Sequence, residues 1–468
     1  MALEEILEKH IAYEASPDVE LVKKAYSLAE VAHMGQKRLS GEEQIEHCLA
    51  VADILTTIKA DSVTLTVALL HDVLAETDLD KETLALEFTE EIASLVSGLT
   101  AVKRVSDKAS LHAFGDREDL RHLILATVKD PRILAVRLAE KVHSLQTAKV
   151  LEREKQKVAA QKVLEIWAPL AGVMGLYRFK NGLEDLAFGV LYPKEYKEVK
   201  KLVEREGHRM KKAIAEVKTR LTSELAKEKI PVRMTSRTKH LFGVYKKLPK
   251  YKSVASGKLY DVLGLRVIVR DIEECYRVLD VTRRLWEEEP ALFDDYIANP
   301  KPNGYQSLHT VFFAGGQMVE IQIRAESMHA AAEYGLAAHP IYKEGKVTSE
   351  ERIALIRNLV LWEKGKELEL FPDKVFVFTP KGDVKVLPQG ATPVDFAYAV
   401  HTKVGDECSS AEVDGKIAPL DGELKAGEVV RIITKKGKTP SSDWLRFAKT
   451  ALARVNIEKA LKVKENAA

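Results

Sequence analysis

The sequence predicts a three-part chain: an all-α domain, a mixed α/β domain, and a small β-grasp-like domain. Three observations predict it. Apolar residues recur at helical spacing up to about Tyr192, as in Leu21, Val22, Ala25, Tyr26, Ala29 and Ala32, and Pro and Gly are sparse there. Short runs rich in branched residues begin after Pro231. Pro372 marks a further boundary, followed by strand-like runs around a Gly-Asp turn. A length of 468 residues suggests about three domains as well.

The first domain is assigned to residues 1–195. Its start, MALEEILEKH, is acidic and helical, and it lacks the basic and apolar regions of a signal peptide. A highly charged helix beginning at YKEVKK leads into the second domain, residues 196–346, with one apolar face packed and the charges solvated. Within it, LYDVLGLRVIVRD (Leu259 to Asp271), TVFFA and QMVEIQIRA read as strands, and MHAAAEYGLAAH as a helix. Residues 347–372 form a helical connector. In residues 373–436, KVFVFTPKGDVKVLPQG gives two strands, TPVDFAYAVHTKV a helix opened by Thr392 and Pro393, and EVVRIITKK a third strand. Residues 437–468 read as a basic tail that frays at its end.

Composition narrows the function. Hydrophobic residues make up 46% and charged residues 30%, a soluble profile, and the net charge of +2 does not force a nucleic-acid partner. No apolar run is long enough to span a bilayer. Cys48, Cys275 and Cys408 are too scattered for a disulfide framework or a zinc cluster, so a reducing cytoplasm is expected.

The strongest chemical signal lies in the mixed domain. Between Pro231 and Lys258 stand Arg233, Arg237, Lys239, Lys246, Lys247, Lys250, Lys252 and Lys258, with no Asp or Glu among them. Several cations can share the charge of a polyphosphate, and arginine can hold it bidentately. The same feature would also suit a nucleic-acid patch or a solvated loop. Asp261 opens one strand. In MVEIQIR, alternation sets Val319, Ile321 and Ile323 on one face and Glu320, Gln322 and Arg324 on the other. A carboxylate on each of two strands beside a basic segment is an arrangement for Mg²⁺ and phosphates. Between them, NPKPNGYQSLHT offers Tyr305 to stack on a base and Asn303, Gln306 and His309 to hydrogen-bond a nucleotide, although a lone Tyr is more often a packing residue.

These segments resemble a known family. SRTKHLFGVYKKL, YDVLGLRVIV, DDYIANPKPNGYQSLHT, VEIQIR and MHAAAEYGLAAH, in that order, closely resemble the synthetase domain of the Rel/SpoT stringent-response family. The first domain resembles that family's HD hydrolase, and VFVFTPKGDVKVLP with TPVDFAYAVHTKVGD its TGS domain. The family's usual longer C-terminal regulatory region is not included, since the chain stops shortly after the TGS-like part. The resemblance implies a nucleotidyltransferase-like fold and a GTP diphosphokinase, which moves pyrophosphate from ATP to the ribose 3′-hydroxyl of GDP or GTP and makes (p)ppGpp. Carried over, Asp261 would bind Mg²⁺, and Glu320 would help bind it and activate the 3′-hydroxyl. Arg237, Lys239 and Lys247 would hold ATP. Tyr305 would stack on guanine, with Lys301, Asn303, Gln306 and His309 around the acceptor. Such chemistry needs mainly alignment and charge neutralisation, which these residue types supply. One departure is AAHPIY, where Pro340 stands in place of the family's usual Trp.

In the first domain the resemblance implies a metal, typically Mn²⁺, held by His47, His71, Asp72 and Glu140. Glu140 stands for the family's Asp, and Cys48 replaces a Pro. The family's active hydrolases carry a Glu-Asp pair three residues after His-Asp. Here LLHDVLAETDL has Ala75 and Glu76. Ser144 and Gln146 stand for Asn and Arg, and Leu39 occupies a usually basic position beside Arg38. The expectation is a decayed hydrolase whose fold survives as scaffold and regulator. LFDDYIA, with Asp294 and Asp295 but Leu292 for a leading Glu, partly matches the acidic motif of the synthetase-only branch. Two alternatives stand beside this reading. One is a bifunctional enzyme with Glu76 as the hydrolase acid. The other is a catalytically weak protein that senses the ribosome and uncharged tRNA, with His401 at the tRNA 3′ end.

Overall fold

The computed structural model describes residues 2–106, 130–253, 262–301, 304–334, 374–380 and 384–465. They form two compact units. One holds the helical and mixed regions together, and the other holds the elements from Lys374 onward. Asp261, Asn303, Pro340, the 347–372 connector and the Gly-Asp turn lie outside the described residues.

The helical region follows its apolar periodicity. Its principal helices include Leu3–Tyr13, Val19–Ala32, Gln44–Thr56, Ser62–Leu70, Glu90–Ser106, Arg132–Thr147 and Tyr177–Leu191. Several starts are fixed by aspartate caps: Asp18 accepts from the Leu21 amide, Asp61 from Thr64 and Asp80 from Thr83. Ser62–Leu70 is apolar nearly all round, so it runs through the middle, with Leu65, Val67, Leu69 and Leu70 fully buried. This central helix delivers His71 and Asp72 at its C-terminal end.

Helix Pro193–Lys227 is 35 residues long and opens on a proline in its first turn. It buries Met210, Ala213, Ile214, Val217, Leu221 and Leu225, leaving its charges mostly outward as its pattern predicts. That stripe packs on the sheet of the mixed region.

The sheet contains β1 (Arg233–Thr238), β2 (Leu263–Val269), β3 (Glu287–Glu288), β4 (Asp294–Asp295), β5 (Leu308–Ala314) and β6 (Gln317–Ala325). The order is β1-β2-β6-β5-β3, with β4 also on β5. β2 and β6 are parallel, and the remaining pairs are antiparallel. Alternation along β6 sends Val319, Ile321 and Ile323 into one core with Leu265, Val267, Val278 and the long helix. Burying each such side chain contributes about 1.5–3 kcal/mol. The opposite face is left to Glu320, Gln322 and Arg324.

Helix Tyr177–Leu191 joins the helical region to the mixed one. Glu184 accepts from His240 Nε2 at 2.7 Å and meets Lys246 Nζ at 3.1 Å. Asp185 accepts from the Leu241 and Phe242 amides at 3.1 and 2.8 Å, satisfying donors that open helix Leu241–Ser253. Lys246 is thus drawn into a structural contact, as is Arg233, which pairs with Glu326 at 2.7 Å. Part of the basic segment is therefore architecture.

In the second unit β7 (Lys374–Phe378) pairs with β8 (Val384–Pro388), and β9 (Cys408–Val413) lies between β10 (Lys416–Ala418) and β11 (Val430–Thr434). Thr392 and Asp395 form a capping box at helix Pro393–Val400. Asp395 also accepts from the Lys449 and Thr450 amides at 2.9 and 2.7 Å. The segment expected as a tail folds back: Ala451–Glu465 is a helix, and Trp444, Ala448, Ala453 and Ile457 share a core with Val394, Ala397 and Tyr398. Its charge hid a buried apolar stripe.

Candidate active sites

The polar face of the sheet lines a cavity of about 440 Å³, a size suited to one nucleotide-sized ligand. β1 contributes Ser236, Arg237 and Thr238, and β2 contributes Arg266. β5 and β6 contribute His309, Gln322 and Arg324, with His309 directly opposite Gln322 in the ladder. Lys301 and Tyr305 come from the loop before β5. Tyr177, Arg178 and Asn181 close one side from the helical region.

Within the cavity, the Tyr305 hydroxyl and His309 Nε2 are 2.7 Å apart. Lys301 Nζ lies 4.2 Å from the Tyr296 ring centre and 5.4 Å from that of Tyr305. His309 Nδ1 stands 3.8 Å from Glu320 Oε1, which places the carboxylate beside the cavity's aromatic end. Gly264, on β2, leaves room for it: a Cβ there would lie 3.2 Å from Glu320 Oε2. Burial, followed by Arg237 and Lys301, pushes the His309 imidazole down to about 3. It is therefore a neutral hydrogen-bonding group. Burial likewise lowers Arg324, to about 10, and Lys301. Arg266 pairs with Glu333 at 2.8 Å, while Arg324 is 3.8 Å from the same carboxylate. The Nε atoms of both arginines are buried without a hydrogen-bond partner. Five cationic side chains, Arg178, Arg237, Arg266, Lys301 and Arg324, face this cavity with Glu333 as its lining carboxylate. Such a cavity favours a polyanion with an aromatic group.

Of the residues expected around the acceptor, Lys301, Tyr305 and His309 meet in this cavity. Gln306 turns away, donating to the Ile297 carbonyl at 3.3 Å. Arg237, expected on the ATP side, shares the cavity with the acceptor residues. Lys239 and Lys247 are not among its lining residues. Sequence reasoning did not assign Arg266, Arg324, Glu333, Tyr177, Arg178 or Asn181. Arg266 had a signal, a lone cation inside the apolar run LGLRVIV. The three from helix Tyr177–Leu191 had none, because only tertiary packing brings them here.

A second centre lies in the helical region. His47, His71 and Asp72 are at most 2% exposed, and one ligand atom from each falls within 4.8 Å of the others. His71 Nδ1 donates to the Ala68 carbonyl at 2.7 Å, which leaves Nε2 with a bare lone pair. His71 Nε2 and His47 Nε2 are buried without a hydrogen-bond partner, and His71 Nε2 is 3.3 Å from Asp72 Oδ2. Asp72 Oδ2 accepts from Gln44 Nε2 at 2.6 Å. Burial, with His71 and Arg38, holds the His47 imidazole well below its ordinary range. Two orphaned imidazole nitrogens and a carboxylate oxygen fit a divalent ion with N/O ligands.

Glu140, the expected fourth ligand, is not in that group. It pairs with Arg137 and, at 3.2 Å, with Lys141. Burial would raise its carboxyl, but Arg137, Lys141 and His71 hold it well below its usual range. His143 stands nearer instead, in a second group with Glu42 and His47. Glu76 is exposed, one turn beyond Asp72 in the short helix Val73–Glu76. In the second unit His401 is exposed, and its Nδ1 accepts from the Lys403 amide at 3.1 Å.

A buried His-His-Asp cluster on helices thus stands in the same chain as a cationic, aromatic cavity on an α/β sheet. Residues 25–177 match an HD domain, residues 236–347 the region found in RelA / SpoT proteins, and residues 375–434 a TGS domain. The guanosine-3′,5′-bis(diphosphate) 3′-pyrophosphohydrolase of Aquifex aeolicus is 41% identical over 99% of this chain and 68% of its own length. The GTP pyrophosphokinase of Myxococcus xanthus is 39% identical over 96% of this chain and 61% of its own. The bifunctional (p)ppGpp synthase/hydrolase SpoT of Escherichia coli is 38% identical over 96% and 66%. The chain belongs to the RelA/SpoT family of (p)ppGpp synthetases and hydrolases, and is an enzyme of the GTP pyrophosphokinase family. It spans roughly two thirds of the length of these relatives. Among solved structures, the small alarmone synthetase 2 of Bacillus subtilis is 25% identical over 36% of this chain and 97% of its own, with a TM-score of 0.26. No described helix is long and apolar enough to cross a membrane.

Proposed function

We propose that the mixed domain makes (p)ppGpp. The 3′-oxygen of GDP or GTP attacks the β-phosphorus of ATP, the bond from that phosphorus to the α-phosphate oxygen breaks, and AMP leaves. Tyr305 offers its ring to guanine, and neutral His309 hydrogen-bonds the acceptor. Arg237, Lys301, Arg266 and Arg324 hold phosphate charge. Glu320 takes the 3′-hydroxyl proton. Glu320 and Asp261 would hold Mg²⁺, which neutralises charge on the transferred group. The observation that carries this reading is the cavity itself, which joins Tyr305, His309 and Lys301 to an excess of cations with Glu320 at its edge.

A second observation favours a retained metal-dependent 3′-pyrophosphohydrolase over the decayed site that Ala75 suggests. His47, His71 and Asp72 remain gathered and buried, and relatives of 41% and 38% identity bear hydrolase names. The ion, Mn²⁺ by family, would supply Lewis acidity toward phosphate and water. Glu76 is the acid we assign to the water, in place of Ala75. The exposed His401 suits contact with RNA in a ribosomal or tRNA partner. The test is to incubate the chain with ppGpp and Mn²⁺ and resolve the nucleotides. GDP and pyrophosphate should form, and His71→Ala should abolish both. Unchanged ppGpp with the wild-type chain would return the site to the decayed reading.

A further inference from the structure

His47 carries a feature that the metal triad does not use. Its Nδ1 is 2.8 Å from His143 Nδ1, and the two rings are tilted at 48° with centres 4.9 Å apart. The other nitrogen of His143, Nε2, faces Glu42 Oε2 at 3.8 Å. Two imidazole nitrogens at hydrogen-bond distance require one proton between them. The Glu42 carboxylate favours the other His143 proton on Nε2. His143 Nδ1 is then an acceptor, and the shared proton belongs to His47 Nδ1. That assignment leaves His47 Nε2 bare, which agrees with its being buried without a hydrogen-bond partner. His71 reaches the same state by a different route, through the Ala68 carbonyl.

We propose that Glu42 and His143 form a positioning relay that locks His47 in the tautomer and orientation needed to ligate a divalent metal ion through Nε2. His143 is therefore a positioning residue, held one shell away from the ion. The inference rests on the metal reading of the helical centre and on no hydrolytic step. The relay also suits the position of Glu140, which is drawn into pairs with Arg137 and Lys141. With one expected ligand engaged elsewhere, retention of the ion depends more heavily on the aim of the remaining three. Outer-shell partners of ligating histidines commonly contribute 10–100-fold to metal affinity.

The test uses the full chain and Mn²⁺ alone, with affinity read by calorimetry and the site by the Mn²⁺ electron paramagnetic resonance spectrum. His143→Leu removes the acceptor, and should weaken Mn²⁺ about 10–100-fold while altering the spectrum. His143→Gln presents a carbonyl oxygen that can accept from His47 Nδ1, and should recover most of the affinity. Glu42→Gln should fall between wild type and His143→Leu. Thermal unfolding with and without Mn²⁺ reports each fold. Wild-type affinity and spectrum in His143→Leu would overturn the relay alone. So would equal losses in His143→Leu and His143→Gln, whether or not the fold survives, since rescue by the acceptor is the claim. If the wild-type chain binds Mn²⁺ no better than His71→Ala, the metal reading fails and the relay with it.

Discussion

The Glu184 carboxylate accepts from His240 Nε2 at 2.7 Å, tying the last helix before Pro193 to the start of the basic helix in the mixed domain. Lys180 at 2.9 Å and Lys246 at 3.1 Å complete the cluster. The same helix presents Tyr177 to Tyr305, edge to face, with ring centres 5.7 Å apart. The clamp thus sets the wall of the acceptor cavity as well as the joint between domains.

Glu184→Gln should lower the thermal unfolding midpoint at pH 7, because it loses charge-assisted bonds worth roughly 1.5–3 kcal/mol. Burial alone would raise this carboxyl, but the bond from His240 and the charges of Lys180 and Lys246 bring it from 4.5 to about 2. A depressed folded value means the unfolded chain binds the proton more readily. The stability contribution is therefore full above about 4.5 and is lost as pH falls toward about 2. Unfolding scans across that window should show the wild-type advantage shrinking. A gap independent of pH would reject the assignment.

Tyr305→Ala should weaken GDP binding about ten- to a hundredfold, the loss of one base-stacking platform. Tyr305→Phe keeps the ring but loses the hydroxyl partner of His309, so a milder weakening of up to about tenfold is expected. Calorimetric titration of GDP into each variant separates these effects. Equal affinity in wild type and Tyr305→Ala would remove the ring from the site.

His309 is held neutral down to about 3. Synthesis should therefore show no acidic limb from this imidazole near its ordinary value of 6.5. The stability sign is the same as that for Glu184, in a window that opens at higher pH. Below about 6.5 the unfolded chain takes up a proton that folded His309 refuses, so stability falls with pH until about 3. His309→Asn should reduce this acid sensitivity, measured as the difference in unfolding midpoint between pH 7 and pH 5.

Local pattern explains what was legible in the sequence. Alternation placed β6 at its observed bounds, Gln317–Ala325, with Val319, Ile321 and Ile323 in the core. Turn residues and ring chemistry pointed to Tyr305 and His309, and the family resemblance to Lys301; the three line one cavity. Long-range direction was not legible. Glu184 and His240 are 56 positions apart, and neither carries a local sign of the other. Glu140 has a ligand's chemistry, yet Arg137, one turn earlier on the same helix, captures it. His143, three residues further on, turns toward His47, which residue type alone does not specify. The residues after Lys436 seemed a tail because their charges outnumber a short apolar stripe that finds cover only in the folded unit.

The most direct measurement is transfer of label from [γ-³²P]ATP to GDP by the full chain with Mg²⁺, with the nucleotides resolved over time. Label should appear in ppGpp, with AMP released in equal amount, and transfer should fall by orders of magnitude in Glu320→Gln with the fold intact. Absence of labelled ppGpp from the wild-type chain, or undiminished transfer in Glu320→Gln, would contradict the proposed synthesis.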